Sequence, residues 1–212
     1  MKPKASSLPL ICALALACSS GPVALSAAHA QDAATKSRAV SLNAEHALLA
    51  QMVGTWEVAQ RIWTSANTRP IEPPPAIARR RLVGDVFLEE VMEAAPGSGQ
   101  EPFTRIAWFN YNKVTRRFET ISMDTRAPQM MYEKSYEDDR SKAKDDRRTI
   151  KLSLDDNFVL PQWGDRVNAA FKGRKVIEIE KDRQTVRLYW TPLAGESGEE
   201  FLAGEYVFTR KR

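Results

Sequence analysis

Cysteine and histidine are scarce in this 212-residue chain, with two of each. Cys12, Cys18 and His29 all fall before residue 31, so the rest of the chain holds no thiol and a single histidine, His46. That excludes a disulfide framework, a Cys–His nucleophile and cysteine-held zinc from the body of the protein. Any Ser-His-Asp triad would have to use His46. Charge of one sign is scarce as well. The 31 basic and 27 acidic residues leave +4, and +2 once Lys2 and Lys4 of the first 30 residues are set aside. The basic residues are spread along the chain, so the sequence pI of about 9.1 is no nucleic-acid footprint. Beyond the N-terminus there is no long apolar run, which excludes a helical membrane channel. A composition 43% hydrophobic and 27% charged suits one globular domain rather than a disordered tail.

The N-terminus has its own pattern. Lys2 and Lys4, the apolar stretch Leu8 to Cys18, and Ala28-His29-Ala30 before Gln31 read as a secretory signal over 1–30. Pro9, Pro22 and the many small residues argue against a buried helix. Ala15-Leu16-Ala17-Cys18 is an imperfect lipoprotein box, which keeps an acylated Cys18 open as the alternative. The expected location is periplasmic or secreted. No stable membrane insertion is expected after cleavage.

Residues 31–40 read as a flexible leader, and 41–212 as one domain. Ser41 to Val53 has helical spacing, with Leu42, His46, Leu49 and Met52-Val53 near one face. Ser41 or Asn43 would cap its start, and Gly54 its end. After Gly54 come about ten runs with period-two alternation. They are Thr55–Thr64, Ile77–Val83, Val86–Ala94, Phe103–Tyr111, Arg117–Asp124, Met130–Tyr136, Arg148–Leu154, Asn168–Lys181, Thr185–Trp190 and Glu200–Arg210. Gly84-Asp85 and Asn112-Lys113-Val114-Thr115 read as tight hairpins, and Ala95 to Gly99 as a longer one. Pro70 and Pro73-Pro74-Pro75 stiffen the loop from Ser65 to Ala76. Glu137 to Asp146 reads as a solvated charged loop. The expectation is an all-β, antiparallel, up-and-down barrel with a short N-terminal helix, because closure removes exposed edges.

Alternation also assigns faces. Trp56, Val58, Gln60 and Ile62 point inward, as do Ile150, Leu152, Leu154, Ile177, Ile179, Val186, Leu188 and Trp190. Arg79-Arg80-Arg81 cannot all face water from one strand, and sending two outward turns Arg80 in. Glu90 shares its face with Val86, Leu88 and Met92. A three-residue turn at Val83-Gly84-Asp85 would bring Arg80 near Glu90; a two-residue turn would not. A hairpin closed at Lys113-Val114 sets Phe109 opposite Phe118, with Arg105 diagonal to Asp124. The expected interior is mostly apolar, with Arg80, Glu90, Arg105 and Asp124 toward one side. Buried charges of this kind are tolerable only if paired or solvated. His46 reads as a packed, hydrogen-bonded histidine at the barrel end.

Gly54-Thr55-Trp56, opening a strand straight after a helix, resembles the Gly-x-Trp start of lipocalins and related calycin barrels. That resemblance implies a Trp56 plug at the closed end with a basic residue of the last strand over it, and Arg210 is the matching position. The wider pattern resembles the bacterial family called domain of unknown function 1579, over roughly 44–210. It comprises His46 to Leu49, Gly54-Thr55-Trp56, Leu82-Val83-Gly84 with Phe87-Leu88-Glu89, Tyr111-Asn112 before Phe118, Asp124, Tyr206 and Arg210. The chain departs from it at Asn110 for Gly, Asn112 for Asp, Asp85-Val86 for Gly-Arg, and Met123 for Trp. The resemblance implies a calycin-like barrel and carries no settled activity.

Three functions remain open on these residues. One is an exported, cofactor-free barrel binding a small, partly apolar molecule, with Arg80, Glu90, Arg105 and Asp124 on its polar part. A second is a small-barrel isomerase or hydrolase with Glu90 or Asp124 as general base. The third is an interaction module with a filled core. No metal and no nucleic-acid partner is expected. An open cavity would separate the first two from the third. A raised carboxyl pKa beside that cavity would favour the enzyme.

Overall fold

The structure, a computed structural model, describes residues 42–135, 148–154, 157–193 and 198–212. The expected signal segment, the leader and the charged stretch 137–146 lie outside the described residues.

Among the described residues one short helix, α1 (Ala44–Gln51), leads into eleven strands. These are β1 (Gly54–Ile62), β2 (Ala76–Val83), β3 (Phe87–Ala94), β4 (Thr104–Asn112), β5 (Arg117–Asp124), β6 (Ala127–Ser135), β7 (Arg148–Leu154), β8 (Phe158–Trp163), β9 (Arg166–Ile179), β10 (Arg183–Pro192) and β11 (Phe201–Arg210). All pairings are antiparallel, and the sheet closes on itself through β1 with β11, β11 with β10, β10 with β9 and β9 with β7. β7 and β8 pair with successive stretches of the same edge of β9 and together form one stave. The result is a closed ten-stranded antiparallel barrel.

β8 is the strand that alternation does not reveal. Pro161 sits in its middle, and a proline lacks the N–H that a ladder needs. It lies opposite Asn168, which adopts φ 52°, and the ladder resumes at Gln162 and Val167. Gly173 marks the step from β7 to β8. A Cβ there would lie 2.7 Å from Leu154 Cδ1 and 3.1 Å from Phe158 Cε1, so only glycine lets the aromatic groups close in.

The helix is shorter than its spacing suggests. Asn43 is the cap, its side chain accepting from the His46 N–H at 3.2 Å. Leu42 precedes the helix and is 54% exposed, while Leu48, Leu49 and Met52 are buried. They pack on Leu88, Ala107, Phe109 and Phe118 and plug one end of the barrel. His46 is buried with them, with its Nδ1 2.6 Å from Asn43 Oδ1 and its ring edge-on to Tyr111. Burial foremost, then the nearby Lys113 charge, holds the imidazole pKa below its ordinary value.

Candidate functional site

The closed end is built around Trp56. Its indole is fully buried, its N–H donates to the Met52 carbonyl at 3.0 Å, and Arg210 is its cross-strand partner. The guanidinium of Arg210 lies 4.2 Å from the ring centre. It also donates to the carbonyls of Val53 (2.6 Å) and Gln51 (2.7 Å). One cation therefore satisfies carbonyls at the end of α1 and the start of β1 while covering the plug.

Above this end the inner face turns charged. Arg80 and Glu90 are direct cross-strand partners. Arg80 Nε donates to Glu90 Oε2 at 2.7 Å, and both side chains are 1% exposed. Arg105 Nη1 donates to the other oxygen, Oε1, at 2.5 Å. Arg80 continues to Gln184 on β10 and lies over the Phe208 ring at 4.3 Å. Its two neighbours face outward as the run of three arginines demands, Arg79 to Glu93 and Arg81 to Glu89.

Arg105 and Asp124 are adjacent rather than diagonal. The turn after β4 is four residues long, Lys113 to Arg116, so Phe109 meets Thr120 and Arg105 meets Asp124. That is a shift of two, which changes partners and leaves every face as the alternation assigns it. Asp124 nonetheless bonds elsewhere. Arg126 takes both of its oxygens, Nε to Oδ1 at 2.9 Å and Nη2 to Oδ2 at 2.7 Å. Arg126 stacks on Phe103 at 3.7 Å and reaches Gln60 Oε1 at 3.4 Å.

A second buried pair was not foreseen. Lys175 and Glu133 are 4% and 3% exposed and form an ion pair, and Thr120 Oγ1 donates to the same Glu133 oxygen at 2.8 Å. The signal was present for Lys175. Extending the inward alternation of Ile179 and Ile177 by one step reaches it. Tyr206 and Gln184 lie on inner faces by the same rule, whereas Arg126 sits at a turn where no periodicity helps.

These groups border a cavity of about 360 Å³. Arg80, Glu90, Arg105, Asp124, Arg126, Glu133 and Lys175 line one part; Leu154, Phe158, Leu160, Leu188, Trp190 and Ala203 line another. Its wall includes a seam. Glu133 to Ser135 pair with β7, but Ala127 to Tyr132 has no ladder partner on that side among the described residues.

Glu90 and Asp124 are held as anions. Burial pushes Glu90 up, but the charges of Arg80 and Arg105 outweigh it and its pKa falls below the ordinary value. Burial acts likewise on Asp124, and the hydrogen bonds from Arg126 overcome it in the same direction. Neither has the raised pKa of a general base poised near neutral pH. Burial lowers the Lys175 pKa against the pull of Glu133, and Arg105 adds to the lowering. Tyr206 is raised, chiefly by burial. Among the described residues no group of three or more His, Cys, Asp or Glu is placed to hold a metal ion.

Fold and interior together define a closed antiparallel β-barrel with a charged patch inside a largely apolar cavity. The chain belongs to the family described as "Protein of unknown function (DUF1579)", which matches residues 41–207. No curated protein matches it. Among solved structures it is similar to "Crystal Structure of Rv2717c from M. tuberculosis", with a TM-score of 0.54 and 14% identity. That similarity covers 81% of this chain and 99% of the other, and at such identity it speaks for the fold alone.

Proposed function

We propose that the protein is an exported barrel that binds a small, partly apolar molecule in its interior. The observation that carries this reading is the cavity of about 360 Å³, within the range of small-molecule sites, with apolar walls and a few convergent charged groups. A module with a filled core has no use for such a space, because interiors normally close-pack. The lowered Glu90 and Asp124 pKa values weaken the enzyme alternative, since both are poor bases. Arg80 and Glu90 form the fixed base of the polar part, with Arg105 and Asp124 nearer its surface. The pattern over residues 1–30 supports export, with the barrel domain following the leader.

Native mass spectrometry of protein purified from its own compartment tests the binding reading. The expected spectrum contains a co-purifying mass that dissociates on collisional activation. Only apo protein, together with no uptake from a lipid and metabolite extract, would count against it.

A further inference from the structure

We infer that the ligand is a monocarboxylate, its head group received by Arg105 and its apolar body lying against Phe158, Leu160, Leu188 and Trp190. This rests on the reading of the cavity as a binding site. The first ground is charge. Of the charged residues lining the cavity, Arg174 is tied to Glu200 by two 2.7 Å bonds and stacks on Tyr189, on the outer face. The rest are four cations, Arg80, Arg105, Arg126 and Lys175, against three carboxylates, Glu90, Asp124 and Glu133. Among the described residues the lining therefore carries one positive charge in excess. Charge in a low-dielectric interior is costly unless balanced, and one bound anion balances it.

The second ground is independent of charge. Two orphaned donors belong to the cavity lining itself: Gln129 Nε2 and Trp163 Nε1 have no partner among the described residues. Among the described residues Arg105 bonds only through Nη1, toward Glu90, and its side chain is 17% exposed. Its Nε–Nη2 edge remains for the side-on fork that matches a carboxylate. Glu90 and Asp124 do not compete for that edge. Arg80 and Arg105 occupy the two oxygens of Glu90, and Arg126 both oxygens of Asp124. Two lining donors and the outer edge of Arg105 are unused while Glu90 and Asp124 accept on both oxygens, so the site calls for an acceptor.

The size of the excess selects the anion. A phosphate monoester carries about −1.5 to −2 at neutral pH and would overcompensate a single positive charge. A carboxylate matches it. The apolar part of the lining accounts for the rest of the molecule, since burying a hydrocarbon chain there contributes in proportion to its area.

Calorimetric titration of the purified protein at pH 7 with decanoate, 1-decanol and decyl phosphate tests this. Decanoate is expected to bind about tenfold to a hundredfold more tightly than decanol, the worth of a hydrogen bond to a charged group. Arg105→Gln should erase that difference while decanol affinity stays put, and Arg105→Lys should keep part of it. Decanol binding as tightly as decanoate would overturn the inference and leave a ligand-binding barrel standing. Decyl phosphate binding more tightly than decanoate would overturn it in favour of a dianion. If none of the three binds, the cavity reading fails and takes this inference with it. Should Arg105→Gln fail to fold, the wild-type order of the three ligands decides alone.

Discussion

Arg210 covers Trp56 at 4.2 Å while donating to the carbonyls of Gln51 and Val53, so the last strand locks the helix onto the first. Trp56→Ala should cost about 3–5 kcal/mol, as for other large core truncations. Arg210→Ala should cost less, about 2 kcal/mol, because it loses a cation–π contact and partly exposed hydrogen bonds but leaves no large void. Urea denaturation of both variants checks the order. Equal small losses would mean that Trp56 does not plug the barrel.

Gly54 belongs to the same lock. It holds φ +135°, and a Cβ on it would lie 2.7 Å from Arg210 Nη1. Gly54→Ala should therefore destabilise by about 1–3 kcal/mol, from strain plus displacement of the guanidinium. In a double-mutant cycle, part of that loss should vanish once Arg210 is Ala. Full additivity would place the whole penalty in the backbone.

Lys175 and Glu133 should behave as a unit. Truncating either to Met or Gln strands a buried charge and should cost about 3–5 kcal/mol. Replacing both, as Glu133→Gln with Lys175→Met, should cost less than the sum of the two single changes. Denaturation midpoints of the three variants supply the cycle, and strict additivity would show that the pair is not coupled.

Acid should destabilise the barrel through Asp124 and Glu90. Both pKa values are lower folded than unfolded, so the stability they contribute is complete above the unfolded value near pH 4. It is lost as pH falls through the folded value, because the unfolded chain then binds more protons. Arg126→Gln removes the bonds that depress Asp124, and should flatten the loss of stability below about pH 4 relative to wild type. Urea midpoints from neutral to acid pH measure this. An unchanged acid slope would mean that the Asp124–Arg126 pair adds nothing.

By itself the sequence determined the barrel and the direction of most side chains. Period-two alternation is a local property of extended backbone, so the inward placement of Trp56, Val58 and Ile177 needs no partner strand to be read. Arg80 was legible for the same reason, since three consecutive arginines must split between faces. The start of the first strand was legible in Gly54-Thr55-Trp56.

The tertiary structure alone decided who meets whom. Arg105 leaves its direct neighbour Asp124 for Glu90, because Arg126 reaches Asp124 from the following turn and takes both oxygens. Lys175 finds Glu133 diagonally across β7, 42 positions away in sequence, and Arg80 finds Gln184 at a separation of 104. Such pairings depend on turn lengths, strand order and barrel closure, and none of these leaves a periodic trace in the chain. Closure also set aside the cavity, because the space inside a barrel follows from strand number and stagger, which no single strand encodes.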